Sequence, residues 1–247
     1  KIPVEDLTEK MFISTQGPTK STFSQFWKMA YLNKSKYIIM LCNLFEDTRI
    51  KCDQYWPDNV GGKIVYGNQI EVELISEEKI LDDLIIERKF IIKPIITEED
   101  HQLDNDSIDK INRLQVLEGG KHYITQYHVV SWPDHSVPEK KNFFKLFDFL
   151  TKTVNDHYNY CLLNEIKHCP TIVHCSAGIG RTGTLISIYN IFDHLNRQLN
   201  SLKKKKEDQQ KLLTDKYLQK TVEDGYDVKI ENNINIVFNS SRINTLP

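Results

Sequence analysis

Hydrophobic positions along the chain fall into distinct periods. Phe23, Phe26, Trp27, Ala30 and Tyr31 recur at helical spacing behind Ser21, a residue suited to an N-cap, so a helix with one buried face is expected there. KYIIMLC (36–42) is a short apolar run of the kind a buried strand uses. Between Lys63 and Pro94, Ile70, Val72 and Leu74 alternate with polar neighbours and LIIERKFII is rich in β-branched residues, which predicts a meander of antiparallel strands. HYITQYHVVSW (122–132) reads as a further strand stopped by Pro133, followed by a helix marked by Phe143, Phe147, Leu150 and Val154. Residues 171–173 form a last short strand. A glycine-rich loop follows it, and then a helix with Leu185, Ile188, Phe192 and Leu195 on its apolar face. The polar stretch 97–120 reads as an extended surface connection. Residues 196–219, with four consecutive lysines at 203–206 followed at once by Glu207 and Asp208, read as a solvated helix face.

Together these elements predict a chain of mixed helices and strands, including an antiparallel meander, in a single domain over 1–247. Length permits this, because 247 residues can enclose one large core. A net charge of −2 offers no global field for nucleic acid, so no nucleic-acid partner is expected. The longest apolar runs fall far short of the roughly 20 residues that span a bilayer, so no membrane span is expected. Five cysteines, an odd and scattered set, fit free thiols in a reducing, cytoplasmic setting better than a disulfide framework. The first ten residues contain neither an initiator Met nor a signal-like apolar core, and read as the middle of a longer protein.

Candidate chemistry concentrates at residues 168–183, HCPTIVHCSAGIGRTG. His168, Cys169, His174 and Cys175 supply four zinc-type ligands, but adjacent residues on a strand point to opposite faces, which argues against a shared ion. Cys175 alone has a clearer role. The five residues Ser176, Ala177, Gly178, Ile179 and Gly180 separate it from Arg181, and a helix begins directly after. A loop of that length can direct successive backbone N–H groups to one centre, beside a helix N-terminus that favours anions. Arg181 adds a planar fork able to grip two phosphate oxygens. A cysteine in that field is expected below its ordinary pKa, as a thiolate nucleophile aimed at phosphorus.

HCSAGIGRTG (174–183) resembles the signature loop of the protein tyrosine phosphatases, tyrosine-specific branch. Three further stretches agree in the family's order: FISTQGP (12–18), KCDQYWP (51–57) and WPDHSVP (132–138). The resemblance covers about residues 11–195. It implies an α/β (α+β) fold with a central, highly twisted mixed sheet flanked by helices, and a protein-tyrosine phosphatase acting on phosphotyrosine-containing proteins, with Cys175 as nucleophile and Arg181 binding phosphate. It implies that Asp134 protonates the leaving phenolate and then activates water, and that Thr182 stabilises the departing thiolate. Trp132 resembles the hinge of the acid loop and His174 the histidine that orders the signature loop. Glu46 resembles the glutamate that pairs with the loop arginine, and Lys51 the lysine near the acid loop. No metal and no cofactor are implied, and the oligomeric state is left open. Tyr55, Trp56, Phe12 and the Gln-Gly-Pro turn are expected to pack around the site without touching substrate.

Departures from the family pattern accompany these matches. Ser136 stands where a glycine is common. The tyrosine-bearing loop that selects phosphotyrosine and the glutamine loop that positions water are both absent from the pattern, Gln219 being a poor substitute. Residues 229–247 resemble the helix that leads to the glutamine loop. A fragment, or a member truncated at both ends, is the expectation. The competing function is a catalytically weak phosphotyrosine-binding module, which keeps the cradle but does not turn over. A relaxed dual-specificity phosphatase is disfavoured by KCDQYWP and the length of the domain.

Overall fold

The structure, a computed structural model, describes residues 12–95, 120–134, 136–163, 169–223, 226–231 and 235–240. The expected surface connection at 97–119 lies outside the described residues. The chain divides into two compact units, Lys1–Ile188 and Tyr189–Pro247.

The first unit is built on seven strands: β1 (Phe12–Thr15), β2 (Tyr37–Met40), β5 (Lys63–Tyr66), β6 (Ile70–Ile80), β7 (Ile85–Pro94), β8 (His122–Val129) and β9 (Thr171–His174). Their order is β1-β9-β2-β8-β7-β6-β5. The first four strands in that order pair in parallel, and β8 through β5 pair antiparallel, so the sheet is mixed as the resemblance implies, and the antiparallel meander expected over 63–94 is its β5–β7 part. A separate ribbon joins β3 (Phe45–Glu46) to β4 (Arg49–Ile50). Its two turn residues, Asp47 and Thr48, have φ of 46° and 65°, the backbone of a tight type I′ hairpin.

Helices α1 (Phe23–Leu32) and α2 (Lys140–Leu163) cover opposite faces of the sheet. The alternation along the strands fixes which side chains meet each helix. On the α1 face, Trp27 packs edge-on against Phe90 at 5.3 Å and Phe26 against His174 at 5.9 Å. On the other, Phe149 of α2 meets Tyr127 at 5.2 Å and His157 meets Tyr37 at 5.2 Å. Trp27, Ile38, Ile39, Met40, Phe90, Ile124, Ile172 and Val173 are all buried and form the core. Burial of such side chains stabilises the fold by about 1.5–3 kcal/mol each. Helix α1 begins one residue later than the pattern predicts: Thr22 is the N-cap, and Ser21 instead pairs with Thr19 through their hydroxyls.

Helix α3 runs from Gly180 to Glu223. The apolar stripe expected at 185–195 is buried only at its start. Leu185 and Tyr189 are enclosed, while Phe192 and Leu195 are half exposed. Residues 203–206 are exposed, as a solvated helix face requires. In the second unit, the helix expected within 229–247 is replaced by strands β10 (Tyr226–Glu231) and β11 (Asn235–Ser240), which pair antiparallel with Glu231 opposite Asn235. Their content of Val228, Ile230, Ile236, Val237 and Phe238 explains the outcome, since β-branched and aromatic residues favour strands over helices.

Candidate active site

Strand β9 lies between β1 and β2, parallel to both, so its C-terminal end opens at the edge where ligands gather in parallel sheets. Cys175 is the first residue beyond that end, and α3 begins five residues later. The intervening turn is shaped by what lies behind it. Gly178 has φ of 74°, and a Cβ placed there would stand 2.4 Å from the Thr15 carbonyl oxygen. Only glycine fits, because any side chain would meet both the left-handed strain and the β1 backbone. The β1 end braces the loop further: the Ser14 hydroxyl donates to the Gly178 carbonyl at 3.1 Å and the Gly17 N–H to the Ser176 carbonyl at 2.9 Å. Gly17 also needs to be glycine, since its Cβ would lie 2.8 Å from Cys52 Sγ and 2.9 Å from the Cys175 carbonyl. FISTQGP is thus the backing of the loop.

Cys175 is buried, and burial by itself pushes the thiol up. The Thr182 hydroxyl, the backbone N–H groups of Thr182 and Gly178 and the Arg181 charge outweigh it, so the thiol lies below its ordinary value. The Thr182 hydroxyl is itself buried beside the sulfur, and Cys175 is the group it favours as a thiolate. Ala177, Ile179 and Gly180 are exposed at the rim and Ser176 is half-buried.

Arg181 is held on several sides. Its Nη1 and Nη2 donate to the two carboxylate oxygens of Glu46 at 2.8 and 2.9 Å, a bidentate pair with both side chains 8% exposed. The β3–β4 hairpin delivers Glu46 to this position, and the Asn43 N–H donates to the same carboxylate at 2.8 Å. Nη1 also donates to the Trp132 carbonyl at 3.0 Å. Nη2 faces Asp134 Oδ1 at 3.4 Å, and the other Asp134 oxygen is ion-paired with Lys51 Nζ. Burial lowers the guanidinium and the Glu46 pair more than restores it, so Arg181 ends above its ordinary range and stays charged. The indole N–H of Trp132 donates to the Ser136 carbonyl at 3.1 Å, which closes the acid-loop turn, and its ring meets Phe143 edge-on. Cys175, Arg181, Thr182, Asp134, Trp132, Glu46 and Lys51 are therefore gathered at one end of the sheet. Cys169 is turned elsewhere, and His168 lies outside the described residues.

His174 is buried on the opposite side of β9 from the core of α2. Its Nδ1 lies 3.0 Å from the Cys175 carbonyl, and its Nε2 lies 2.8 Å from the Tyr55 hydroxyl. Burial holds the ring neutral, bringing its pKa down to about 4. A neutral ring with Nδ1–H donating to the carbonyl leaves Nε2 to accept from Tyr55. Tyr55 in turn accepts from Gln126 Nε2 at 2.7 Å, and Gln126 Oε1 accepts from Arg88 Nη1 at 2.9 Å. His128 joins the same cluster, 3.1 Å from Arg88 and donating to the Cys42 carbonyl at 2.9 Å. The Arg88 guanidinium lies 4.4 Å over the Trp56 ring. This chain of polar groups through the core, Arg88 to Gln126 to Tyr55 to His174, ends on the nucleophile's backbone.

Tyr55 packs the core as expected, its ring meeting Phe26 and Trp56 at 4.9 Å each. Its hydroxyl, however, belongs to the site, and sequence reasoning missed that along with Gln126 and His128. The signal was present in β8, where Gln126 and His128 fall in register with buried Ile124 on the inward face.

The family model described as protein-tyrosine phosphatase matches residues 2–207. Tyrosine-protein phosphatase 1 of Dictyostelium discoideum is 34% identical over 197 residues, covering 78% of this chain and 34% of its own length. The human receptor-type tyrosine-protein phosphatase eta is 36% identical over 181 residues, covering 73% of this chain and 11% of its own. The bovine receptor-type tyrosine-protein phosphatase-like N is 35% identical over 192 residues, covering 78% and 16%. The chain thus spans about a third or less of the curated relatives it matches. Among solved structures, a Trypanosoma cruzi protein tyrosine phosphatase superposes with a TM-score of 0.57 at 29% identity, covering 76% of this chain and 55% of that one.

Proposed function

We propose that this chain, which belongs to the protein-tyrosine phosphatase family, hydrolyses phosphotyrosine in proteins through a cysteinyl-phosphate intermediate. The observation that carries the proposal is the lowered thiol of Cys175 at the centre of a braced turn, with N–H donors and a guanidinium beside it. The phosphate enters the turn from Ser176 to Gly180 and takes two donors from Arg181. Glu46 occupies one N–H on each terminal nitrogen, so the fork presented to phosphate is Nε–H, which has no hydrogen-bond partner among the described residues, together with the Nη2–H that Asp134 faces at 3.4 Å. Substrate binding displaces Asp134 from Nη2 and leaves it beside the leaving oxygen.

In the first step the Cys175 thiolate forms the S–P bond while the bond to the tyrosyl oxygen breaks. Protonated Asp134 gives its proton to that oxygen, whose conjugate acid has a pKa of about 10. In the second step the Asp134 carboxylate takes a proton from water, the water oxygen bonds to phosphorus, and the thiolate departs. The Thr182 hydroxyl, aimed at sulfur, donates to the departing thiolate. Arg181 and the loop N–H groups stabilise the charge on the phosphoryl oxygens in both steps. Lys51 and Trp132 position the acid loop, and His174 holds the loop backbone. We also propose a cytoplasmic setting, supported by five unpaired thiols and by the absence, among the described residues, of a helix long and apolar enough to cross a membrane.

Single-turnover kinetics with a phosphotyrosine peptide test the proposal. Wild-type chain releases dephosphorylated peptide in a burst, Cys175→Ser shows none, and Asp134→Ala slows it by about 10²–10⁴-fold. A chain that binds the peptide without a burst is a phosphotyrosine-binding module instead, and equal rates on phosphoserine peptide remove the tyrosine assignment.

A further inference from the structure

Three metal-ligating side chains meet at α2, with Cys169 at the opposite end of β9 from the phosphate loop. His157 and Cys161 lie one turn apart on one face of α2, and Cys169 precedes β9. Their ligand atoms all lie within 4.8 Å of one another. Cys161 Sγ is 3.8 Å from His157 Nδ1 and 3.7 Å from Nε2. Zinc–sulfur bonds of about 2.3 Å and zinc–nitrogen bonds of about 2.0 Å at tetrahedral angles separate ligand atoms by about 3.6 Å. The Cys161–His157 separation is close to that of two ligands on a single ion, and Cys169 Sγ lies within 4.8 Å of both.

The histidine is also oriented as a ligand. Its Nε2 lies 3.2 Å from the Cys169 carbonyl, to which the Nε2–H donates. That hydrogen bond assigns the proton to Nε2 and leaves Nδ1, 3.8 Å from Cys161 Sγ, as the unprotonated nitrogen, the tautomer in which metal-bound imidazoles are usually held. Tyr37 packs edge-on against the ring at 5.2 Å and limits its rotation. His157 and Cys161 are buried and Cys169 is half-buried, so the cluster is shielded but reachable. Lys36, which lies over the Tyr160 ring at 5.2 Å, adds nearby positive charge. Two thiolates balance a divalent cation without help from that lysine.

We propose that His157 Nδ1, Cys161 Sγ and Cys169 Sγ bind one zinc ion, with water in the fourth position. Binding deprotonates both thiols and releases two protons to solvent. Soft thiolate donors with one imidazole select zinc over magnesium or calcium. The ion ties the C-terminal end of α2 to the residue that leads into β9, and β9 ends at the nucleophile. It acts as a clamp on the strand that carries the signature loop, and it takes no part in phosphoryl transfer.

The test uses the full chain, reduced and stripped of metal, in the Cys175→Ser background so that the nucleophile cannot capture zinc. Zinc is titrated against a chromophoric chelator, and cobalt is substituted to report thiolate ligation through its charge-transfer band. One equivalent of zinc is expected, with X-ray absorption showing two sulfur ligands and one imidazole. Cys161→Ser and Cys169→Ser should each weaken binding by more than the roughly 10–100-fold that loss of an outer-shell partner costs. Cys42→Ser should retain it. Thermal melts of the metal-free proteins show whether each variant folds, and Cys169→Ser, outside any helix or strand, provides the readout if the α2 variant does not. Undetectable binding at micromolar zinc overturns the proposal. So does binding that survives both serine variants, or a Cys161–Cys169 disulfide that, once reduced, takes up no zinc.

Discussion

Tyr55→Phe isolates the buried polar chain that ends at Cys175. The substitution removes one oxygen and leaves the ring packed against Phe26, Trp56 and His174. Two hydrogen bonds are lost, at 2.8 Å to His174 and 2.7 Å from Gln126. Both partners are completely buried. His174 Nε2 becomes an orphan acceptor, and the Gln126 Nε2 donor keeps only a weak contact with Met40 Sδ at 3.7 Å. A buried polar group left unsatisfied costs about 1–3 kcal/mol, so the pair should cost about 2–6 kcal/mol. Urea denaturation should show that loss as a lower midpoint at unchanged slope. The rate of Cys175 alkylation against pH gives a second readout. With His174 unanchored, its Nδ1–H holds the Cys175 carbonyl less firmly, the Gly178 and Thr182 donors drift, and the thiolate should form at higher pH. A stability change below about 0.5 kcal/mol with an unmoved alkylation profile would refute the relay.

Glu46→Ala removes the bidentate partner of the buried Arg181 and leaves it only the Trp132 carbonyl and Asp134 at 3.4 Å; breaking a buried pair costs up to about 3–5 kcal/mol, and thermal melting should show it, along with a raised KM for phosphopeptide. Gly178→Ala forces a Cβ to 2.4 Å from the Thr15 oxygen at a φ of 74°, so stability should fall by about 2–4 kcal/mol and the Cys175 alkylation profile should move to higher pH. Acid should destabilise the fold early. Burial holds His174 neutral down to about 4; for His128 burial and then Arg88 do so to about 3, whereas unfolded histidines titrate near 6.5. The unfolded chain then binds the protons first, so this stability is complete above pH of about 6.5 and is lost as pH falls toward 4. At 1.36 kcal/mol per unit, His174 alone contributes about 3 kcal/mol. Unfolding at pH of about 5 should take up at least two protons, and a flat stability profile from pH 7 to 5 would contradict that burial.

Much of the site was legible in the sequence because its parts are local. Cys175 through Thr182 form one contiguous turn, and the Trp132–Asp134 segment is short. The central sheet followed from alternation in 63–94 and 122–132. What escaped depends on contacts between distant segments. Tyr55 and Gln126 are 71 residues apart, and only strand pairing brings the β8 face over the Tyr55 ring. Cys169, considered first with His174 and Cys175, lies ahead of β9 rather than on it, and it meets His157 and Cys161 of α2, which are close to it only in the folded chain. Residues 229–247 misled for a different reason. Their apolar positions allow a helical reading, but the β-branched content of Val228, Ile230, Ile236 and Val237 favours the observed strand pair.

The central claim is that Cys175 carries the phosphoryl group. Its most direct test is rapid acid quench of the chain with a phosphotyrosine peptide, followed by mass spectrometry of the peptide that contains residues 174–181. The account predicts phosphate on Cys175 within the first turnover, absent in Cys175→Ser and depleted in Thr182-intact wild type as inorganic phosphate appears. Dephosphorylated peptide formed without any phosphorylated Cys175, or phosphate found on another residue, would contradict it.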